Sequence, residues 1–580
     1  MEKADVVRIL RDIAVLLELK GENPFKSRSY ETAARSIESA SQDLDALVST
    51  GGLYELKGVG EAIGKKVVEL AQSGRLAYYE ELCEAVPVGL LDMTRIPGFG
   101  PKKARAVWQQ LGIEGLNELE QAALDGQLVP LPGFGAKSVQ NILEGIAFLR
   151  RNQGRWHIST AREQAQPILE ALRELKAVKR IEVGGSLRRW RETIRDIDMV
   201  VSTTRSKEVM EAFVAAPSVQ SVVAHGETKS SVTLQAGINC DLRSVSDAQY
   251  PFALQYFTGS KEHNVALRQR ARSMGLKLNE YGLFRGESPT SARCKDEAGI
   301  FKALRLAYIP PELREDMGEI EAAEAGTLPA LIEPGDLRGM IHFHTTASDG
   351  HASLEDMARQ CERRGYRYIG VCDHSQSAAY ANGLRPDDIK RQHDEVERVQ
   401  EKFPRLRILK GIESDILAAG ELDYPESMLR SFDFVVVSVH SRFSMARADM
   451  TRRIVAAVEN PYATILGHPT GRLLLQRDPY ELDLEAVLEA AGRARVAIEI
   501  NAHPQRLDLD WRHCRAAKKL GCFFLISPDA HSPEGIDDTI YGVGVARKGW
   551  LTKNDVINCL EAEAFVAWKR GGAAPKRGKR

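Results

Sequence analysis

Hydrophobic residues recur with the 3.6-residue period of amphipathic helices through the first 150 residues. One pattern appears there three times, a Gly-x-Gly turn that opens an apolar-periodic segment, at 56–70, 96–111 and 131–146. Glycine permits the tight backbone that such a turn requires. The pattern therefore predicts two helical N-terminal domains built from turn–helix units, with boundaries at 1–88 and 89–155.

The spacing changes after Ile181 to short β-rich runs separated by helical stretches, which is typical of an α+β domain. We place this domain at 156–247 and a following helical or mixed domain at 248–325. The segment 326–336 reads GTLPALIEPGD and carries two prolines and two glycines. It is predicted to be a linker.

Beyond this linker, seven short apolar strands alternate with helical segments over 337–573, ahead of a basic tail at 574–580. The alternation predicts a distorted barrel of seven β/α units. Six of the seven strands end in His, Asp or Glu. Because barrel active sites gather at the C-terminal ends of the strands, these side chains are expected to share one site.

Composition fits a multidomain globular protein. The chain has 580 residues, of which 43% are hydrophobic and 27% charged. The net charge of −1 gives no global attraction to nucleic acid, so DNA contacts would need local patches or backbone amides. The eight cysteines form no CxxC pair, and no apolar run approaches the length of a membrane span. We therefore expect a reduced, cytoplasmic protein that does not bind membranes.

The repeated Gly-x-Gly turns can bind DNA without reading its sequence, because amides at the start of the following helix suit a phosphate oxygen. A single such turn would more often be an ordinary helix connection. Three of them, two reading Pro-Gly-Phe-Gly, favour helix-hairpin-helix elements over mere helical packing. The candidate glycines are Gly58, Gly60, Gly98, Gly100, Gly133 and Gly135.

Three carboxylates suggest a divalent-metal centre in the α+β domain. Asp196 and Asp198 lie two apart on a predicted strand and so project to one face, and Asp241 lies on a later strand that could pair beside the first. Converging oxygen ligands suit Mg²⁺, and two ions could activate a hydroxyl and stabilise leaving pyrophosphate. Just upstream, GGSLRRW at 184–190 offers a glycine-rich turn, a hydroxyl and cations to cradle a triphosphate.

Histidine and acidic residues cluster in the predicted barrel. Six of the 13 histidines fall in strand-end motifs, which scattered core histidines would not do. With three acidic residues they make nine potential ligands, enough for three closely spaced Mn²⁺ or Zn²⁺ ions bound by mixed nitrogen and oxygen donors. The nine are His342, His344, Asp349, His374, Glu413, His440, His468, Asp529 and His531.

The strings GGSLRRWRETIRDID, CDLRSV and YFTGSKEHNVALR resemble the family X DNA polymerases, the group that includes DNA polymerase beta. The resemblance implies helix-hairpin-helix domains, a nucleotidyltransferase palm and a thumb that act on gapped or primer–template DNA with deoxynucleoside triphosphates. It also implies that Asp196, Asp198 and Asp241 bind the catalytic metals and that Asp241 assists deprotonation of the primer 3′-hydroxyl.

The same resemblance assigns eight residues to the incoming nucleotide. Three would hold its β- and γ-phosphates, three would border its sugar and impose a deoxynucleotide preference, and two would contact the nascent base pair. In that order they are Gly185, Ser186 and Arg189; Tyr256, Phe257 and Gly259; Asn264 and Arg268.

Lys66 aligns with the lysine that forms a Schiff base with deoxyribose phosphate in polymerase beta. A neighbouring position that is basic there is Ala62 in this chain. For Lys66 we therefore prefer contact with a DNA phosphate and keep a lyase role as the alternative.

The barrel resembles the PHP domain, named for polymerase and histidinol phosphatase, which follows the polymerase in bacterial family X enzymes. All nine ligand positions are filled, which implies metal-dependent 3′-to-5′ exonuclease activity, with abasic-site endonuclease and 3′-phosphatase activities as further candidates. Met340 stands where relatives commonly have an acidic residue. One carboxylate beside the ligands is therefore expected to be missing.

The sequence thus predicts a monomeric family X polymerase that fills short gaps in DNA repair, such as base excision repair. Two alternatives stay open. One is a DNA-binding repair protein with a single working centre, and intact ligand sets argue against it. The other is a small-molecule phosphatase fused to a nucleotide-transfer module, and the three phosphate-binding hairpins make DNA the simpler substrate.

Overall fold

The computed structural model describes residues 3–40, 42–286, 288 and 291–569. Contacts divide the chain into two compact units, Met1–Gln153 and Gly154–Arg580. The predicted basic tail lies outside the described residues. Within the described ranges, no helix combines the length and the apolar character that crossing a bilayer would require.

The first unit is built from helices, and each predicted Gly-x-Gly turn opens one of them. The helices are α1 (Lys3–Lys20), α2 (Pro24–Ser39), α3 (Leu44–Thr50), α4 (Glu61–Ser73), α5 (Ala77–Ala85), α6 (Gly89–Thr94), α7 (Pro101–Leu111), α8 (Leu116–Leu124) and α9 (Ala136–Asn152). The turns precede α4, α7 and α9. Phe99 and Phe134, from the two Pro-Gly-Phe-Gly turns, are buried edge to face with ring centroids 6.1 Å apart. Their packing fixes two of the turns side by side.

The second unit begins with the α+β domain. Its elements are β1 (Trp156–His157), α10 (Ile158–Arg173), β2 (Val178–Val183), α11 (Gly185–Arg188), β3 (Thr193–Ile194), β4 (Asp196–Thr203), α12 (Ser206–Val214), β5 (Val219–His225), β6 (Lys229–Leu234) and β7 (Asn239–Val245). Five strands form a sheet in the order β2-β4-β7-β6-β5, in which β4 and β7 run parallel and the other pairs are antiparallel. The parallel pair carries the predicted aspartates.

A mixed segment follows. Its elements are α13 (Tyr250–Thr258), α14 (Lys261–Ser273), β8 (Leu276–Asn279), β9 (Gly282–Arg285), α15 (Glu297–Ala303) and α16 (Glu319–Ala325). A buried ion-pair network joins it to α11: the Glu297 carboxylate lies 2.6 Å from guanidinium nitrogens of both Arg188 and Arg314.

The C-terminal part forms a ring of seven parallel strands wrapped by helices. The elements are β10 (Gly339–Phe343), α17 (Leu354–Arg363), β11 (Tyr368–Val371), α18 (Pro386–Gln400), β12 (Arg407–Asp415), α19 (Glu426–Leu429), β13 (Phe434–Ser438), α20 (Arg447–Val458), β14 (Ile465–Leu466), α21 (Leu484–Ala494), β15 (Ala497–Asn501), α22 (Trp511–Lys519), β16 (Phe524–Ser527), α23 (Thr539–Lys548) and α24 (Ala562–Trp568). The strands pair in chain order, and a bridge between Phe343 and Ala530 brings the two edges together. The predicted β/α barrel is thereby confirmed.

The α+β domain and the barrel pack against each other. One hydrophobic cluster contains residues of both, including Ile158 and Met199 on one side and Ile500 and Val543 on the other. Trp190 fills the contact so closely that a Cβ on Gly544 would lie 2.3 Å from its ring. The α+β domain and the barrel therefore share a hydrophobic core.

The segment 326–336 lies against the barrel. Ile332 is fully buried, and its amide donates to the carbonyl oxygen of Leu551 at 3.0 Å. The guanidinium of Arg547 donates to the carbonyl oxygen of Ile332 at 2.8 Å. The predicted linker is thus anchored at Ile332 to the domain that follows it.

Candidate active sites

Three carboxylates lie on the open face of the α+β sheet. In β7, Leu242 is buried, and Asp241 alternates to the opposite face. Asp198 is the Cα partner of Asp241 across the parallel β4–β7 pair, and Asp196 is paired two positions earlier. Because neighbouring strands run roughly 4.8 Å apart, the structure brings all three aspartates together.

The negative charges of these three carboxylates favour the binding of cations. Burial, together with repulsion from Asp196 and Asp241, raises the pKa of Asp198 to about 6. The Lys229 Nζ lies 2.5 Å from Oδ2 of Asp241, so an ammonium group already stands against one carboxylate. One ammonium does not balance three carboxylates. The donor set therefore fits divalent cations that prefer oxygen ligands.

A glycine turn lies directly against Asp198. The Gly184 amide donates to the Asp198 carbonyl oxygen at 2.7 Å. Gly185 has a φ of +58°, and a Cβ there would lie 2.4 Å from Oδ2 of Asp198. Only glycine fits this close approach, which leaves the start of α11 and Ser186 beside the carboxylates.

Arg189 comes directly after α11 and is held from two sides. Its Nε donates to Oε1 of Glu315 at 3.0 Å, and its Nη1 donates to the carbonyl oxygen of Thr258 at 2.5 Å. Thr258 precedes Gly259, whose positive φ of +68° turns the chain from α13 into α14. The arginine, the glycine turn and the aspartates thus converge on one region.

The remaining predicted nucleotide contacts gather at the α13–α14 junction. The rings of Tyr256 and Phe257 meet edge to face with centroids 5.2 Å apart. The Asn264 Nδ2 donates to the Tyr256 carbonyl oxygen at 2.7 Å, and the Arg268 Nε donates to the Asn264 carbonyl oxygen at 3.1 Å. These hydrogen bonds fix the backbone that carries the two aromatic rings.

The barrel ligands converge in three overlapping groups, within each of which one donor atom per residue lies within 4.8 Å of every other. The groups are His344, Asp349, His374 and His531; His342, His344 and Asp529; and His374, Glu413 and His440. The Nε2 of His468 joins them, 3.1 Å from Oε1 of Glu413. All nine predicted ligands therefore meet at the C-terminal end of the strands.

Buried donor atoms at the centre of this cluster fit metal ions. Among the described residues, Nε2 of His342, Nδ1 of His344 and Oε2 of Glu413 are buried without a hydrogen bond. Such atoms are costly unless a ligand satisfies them. Three of the nine residues also have φ in the left-handed region, at +63° for His342, +25° for His468 and +54° for Asp529. Strained backbone of this kind concentrates at functional sites.

Two groups of the cluster, His344 and Glu413, have protonation states that suit metal binding. Four other imidazoles would have to lose a proton to bind an ion, because neighbouring carboxylates outweigh burial and raise the pKa values of His342, His374, His440 and His531. Burial, reinforced by the neighbouring imidazoles of His531 and His374, lowers the pKa of His344 to about 3. This ring is therefore neutral at physiological pH and can donate a lone pair. Burial alone would raise the pKa of Glu413, but the surrounding imidazoles hold it well below its usual range, so the carboxylate stays ionised.

The sequence prediction missed the residues that orient these ligands. Oε1 of Glu499, a fully buried residue on β15, lies 2.5 Å from Nδ1 of His342. Oδ1 of Asp415 lies 2.6 Å from Nδ1 of His440. Met340 lies in an apolar cluster, and Glu499 supplies a carboxylate beside the first ligand histidine. An acidic residue inside the apolar run AIEIN was the signal for Glu499.

The three Gly-x-Gly turns have one geometry. The first glycine of each has positive φ, at +83° for Gly58, +74° for Gly98 and +86° for Gly133. The second glycines, Gly60, Gly100 and Gly135, are the N-caps of α4, α7 and α9 and make no side-chain cap hydrogen bond. A Cβ on any of these second glycines would meet nothing within 4 Å. The turns therefore present open helix starts of the kind that binds phosphate.

Lys66 lies within α4, after the first of these turns. Its Nζ is 4.8 Å from the centroid of the Tyr78 ring and donates to the Ala62 carbonyl oxygen at 3.4 Å. The ammonium group is therefore held over an aromatic face near an open helix start.

Known protein families match four stretches of the chain. "DNA polymerase beta thumb" matches residues 253–315, and "PHP domain" matches 341–503. "Helix-hairpin-helix domain" matches 1–76, and "SAM-like Helix-hairpin-helix tandem" matches 90–147. Together with the paired aspartates of the palm, these matches define a family X DNA polymerase that carries a PHP domain.

One relative that matches over nearly its full length identifies the family within this class. The chain is 37% identical over 571 residues to "DNA polymerase/3′-5′ exonuclease PolX" of Bacillus subtilis strain 168, which covers 98% of this chain and 99% of that protein. The chain therefore belongs to the PolX family. It is also 32% identical over 206 residues to a "Probable phosphatase" of Caldicellulosiruptor bescii, which covers 33% of this chain and 78% of that protein. The predicted family and fold class are confirmed, and polymerase with exonuclease is favoured over both alternatives.

Proposed function

We propose that this protein fills short gaps in DNA by template-directed nucleotidyl transfer and trims primer 3′ ends with its PHP barrel. The observation that carries the proposal is the pairing of Asp198 with Asp241 on adjacent parallel strands beside Gly185, in a chain that matches a PolX enzyme along its whole length. We place its domains at 1–88, 89–155, 156–247, 248–325 and 337–573, and expect a cytoplasmic monomer.

In the polymerase reaction the three aspartates hold the metals, for which we propose Mg²⁺. These ions, when bound, supply Lewis-acid activation of the hydroxyl and charge stabilisation of the leaving pyrophosphate. Asp241 accepts the proton of the primer 3′-hydroxyl. The Gly185 turn lets the triphosphate approach closely, the Ser186 hydroxyl donates to it, and Arg189 offers a guanidinium to its β- and γ-phosphates.

The α13–α14 junction selects the sugar and the base pair. Tyr256 and Phe257 place backbone against the 2′ position of the sugar, so a ribose hydroxyl would be crowded. Gly259 permits the turn that brings this backbone close. Asn264 and Arg268 face the minor groove of the nascent pair. Together they favour deoxynucleotides.

The helix-hairpin-helix turns hold the DNA independently of its sequence. The open amides after Gly60, Gly100 and Gly135 donate hydrogen bonds to phosphate oxygens, and each preceding glycine shapes the turn. Lys66 adds a cation to the first of these sites and contacts a phosphate.

In the barrel the nine ligands hold three ions, for which we propose Mn²⁺ or Zn²⁺. These ions, when bound, polarise a phosphodiester and activate water for its hydrolysis. Glu499 fixes the His342 ring, and Asp415 fixes the His440 ring, so that each offers Nε2 to the site. The substrate class that follows is the 3′-terminal phosphodiester of DNA, with abasic-site or 3′-phosphate ends as related substrates.

Two variants test this assignment. Gapped duplex DNA with one complementary nucleotide and Mg²⁺ should be extended by the wild type, and Asp198→Ala should lower the rate by about 100-fold or more. His342→Ala should abolish Mn²⁺-dependent 3′ trimming and retain extension. Asp247→Ala, which removes a palm carboxylate that pairs with Arg180, should retain both activities. Joint loss of extension and trimming in either site variant would contradict two independent centres.

A further inference from the structure

Lys548 is a buried lysine of the barrel that contacts the polymerase site. It is the last residue of α23, and its side chain is fully inaccessible to solvent. The Nζ lies 2.5 Å from Oε1 of Glu315 and donates to the Arg189 carbonyl oxygen at 3.0 Å. A charged group in this position needs a compensating partner. The Nζ also lies 3.4 Å from the Glu312 carbonyl oxygen and 4.6 Å from the centroid of the Trp511 ring, and the Glu315 carboxylate beside Arg189 carries the compensating charge.

Glu315 is shared between this lysine and Arg189. Its Oε1 accepts from Arg189 Nε at 3.0 Å and from Lys548 Nζ at 2.5 Å, and its Oε2 lies 3.5 Å from a guanidinium nitrogen of Arg191. The carboxylate is only 11% exposed. One carboxylate therefore faces three cations, of which Arg191 also lies 3.8 Å from the carboxylate of Glu192.

This sharing controls how tightly Glu315 holds the arginine. With Lys548 in place, the negative charge on Oε1 is divided between an ammonium and a guanidinium. Without the ammonium, Oε1 of the same carboxylate would pair with Arg189 alone, while Arg191 would stay on Oε2 at 3.5 Å. Ion pairs are strong in a poorly solvated site of this kind. Arg189 would then be less available to an incoming triphosphate.

We propose that Lys548 is a positioning residue for nucleotidyl transfer: by sharing Glu315, it keeps Arg189 available to the triphosphate, so the PHP barrel takes part in nucleotide binding. This inference rests on the proposed polymerase function. It makes the barrel a component of the polymerase site, independently of the barrel's own metal chemistry.

Arg547, the neighbouring residue on α23, provides a matched control. Its Nε lies 2.7 Å from Glu312, and its Nη1 lies 2.5 Å from Glu333. Arg547 thus bridges the same two parts of the molecule through ion pairs, but through different carboxylates. If the loss of an ion pair between these parts were the only effect, substituting Lys548 or Arg547 would change the KM for the nucleotide alike.

Steady-state extension of gapped DNA, with the complementary deoxynucleotide varied, tests the proposal in the full chain. Lys548→Met is expected to raise the KM for the nucleotide on the order of tenfold, the effect of losing a hydrogen bond to a charged group, and to leave kcat near the wild-type value. Adding Glu315→Gln in the same chain is expected to restore the KM, because Arg189 is then released. Arg547→Met is expected to leave the KM unchanged.

Manganese-dependent 3′ trimming reports folding of each variant. The proposal is overturned if Lys548→Met and Arg547→Met have equal KM values for the nucleotide. It is also overturned if the double variant has a higher KM than Lys548→Met alone. Should Lys548→Met lose trimming as well, Glu315→Gln alone decides: a lower KM than the wild type supports the proposal, and a higher one overturns it. A wild type that fails to extend gapped DNA would instead refute the proposed function itself.

Discussion

Asp198 and Asp241 are Cα partners on β4 and β7, although Asp241 is 43 positions from Asp198 in the chain. The parallel pairing places both carboxylates on one face of the sheet, where burial and the charges of Asp196 and Asp241 raise the pKa of Asp198. This arrangement leaves little room around Asp198, and the Gly185 turn occupies what is left.

Gly185→Ala is therefore expected to damage extension severely. The new Cβ would lie 2.4 Å from Oδ2 of Asp198, and the φ of +58° would be strained for alanine. Misplacing a reacting group by about 1 Å can lower a rate by about 100-fold, and we expect a loss of this order in single-turnover extension. Gly335→Ala, at a position where a Cβ meets nothing within 4 Å, should extend like the wild type. Near-normal extension by Gly185→Ala would show that the turn does not crowd the metal ligands.

Lys229→Met should lower the Mg²⁺ concentration needed for half-maximal extension. The ammonium group lies 2.5 Å from Asp241 and competes with a metal for that carboxylate. Because the lysine side chain is 39% exposed, the pair is partly screened, and we expect a shift of about two- to fivefold. Lys207→Met, at an exposed lysine on α12, is the control and should leave the Mg²⁺ titration unchanged. A higher Mg²⁺ requirement for Lys229→Met would contradict the competition.

Glu499→Gln should weaken metal binding in the barrel. The carboxylate lies 2.5 Å from His342 Nδ1 and also accepts a hydrogen bond from the Ser527 hydroxyl at 2.6 Å. Loss of such an outer partner typically costs about 10- to 100-fold in metal affinity. Competition with a chelator, followed by elemental analysis, measures the loss directly, and 3′ trimming should fall with it.

Asp555→Asn is the matched control for Glu499. Asp555 is also fully buried, but it pairs with Lys518. This variant should lose stability while its metal affinity stays at the wild-type value. Equal metal affinity in Glu499→Gln and the wild type would remove Glu499 from the metal centre.

Glu297 makes the palm–thumb contact sensitive to acid. Burial alone would raise its pKa, but Arg314 and Arg188 lower it to about 2 from an ordinary value of 4.5. The stabilisation is therefore fully present above pH 4.5 and is lost as the pH falls toward 2. This lowering of the pKa corresponds to about 3 kcal/mol in the free energy of unfolding at neutral pH.

Thermal unfolding of the wild type and Glu297→Gln checks this linkage. The variant should melt lower at pH 7, because its two arginines remain buried without a charged partner. The difference in melting temperature should shrink between pH 5 and pH 3. A difference that does not vary over this range would exclude titration of Glu297 as its source.

The convergence of the proposed metal ligands was predictable because local patterns reveal it. Strand alternation put Asp196 and Asp198 on one face, and strand-end motifs marked the barrel histidines before any pairing was known. The partners that orient them were not predictable in this way. Glu499 is 157 positions from His342, and Lys548 is 233 positions from Glu315. A lysine at the end of a helix is ordinary in sequence, and only packing shows that it is buried.

The common hydrophobic cluster of palm and barrel has a consequence for how this enzyme can change over time. A chain that ended before residue 337 would expose the apolar surface around Trp190 to water, and exposed apolar surface of this kind favours aggregation. A lineage that no longer needs the nuclease is therefore expected to erode its metal ligands one by one while keeping the barrel itself as a cover for the palm.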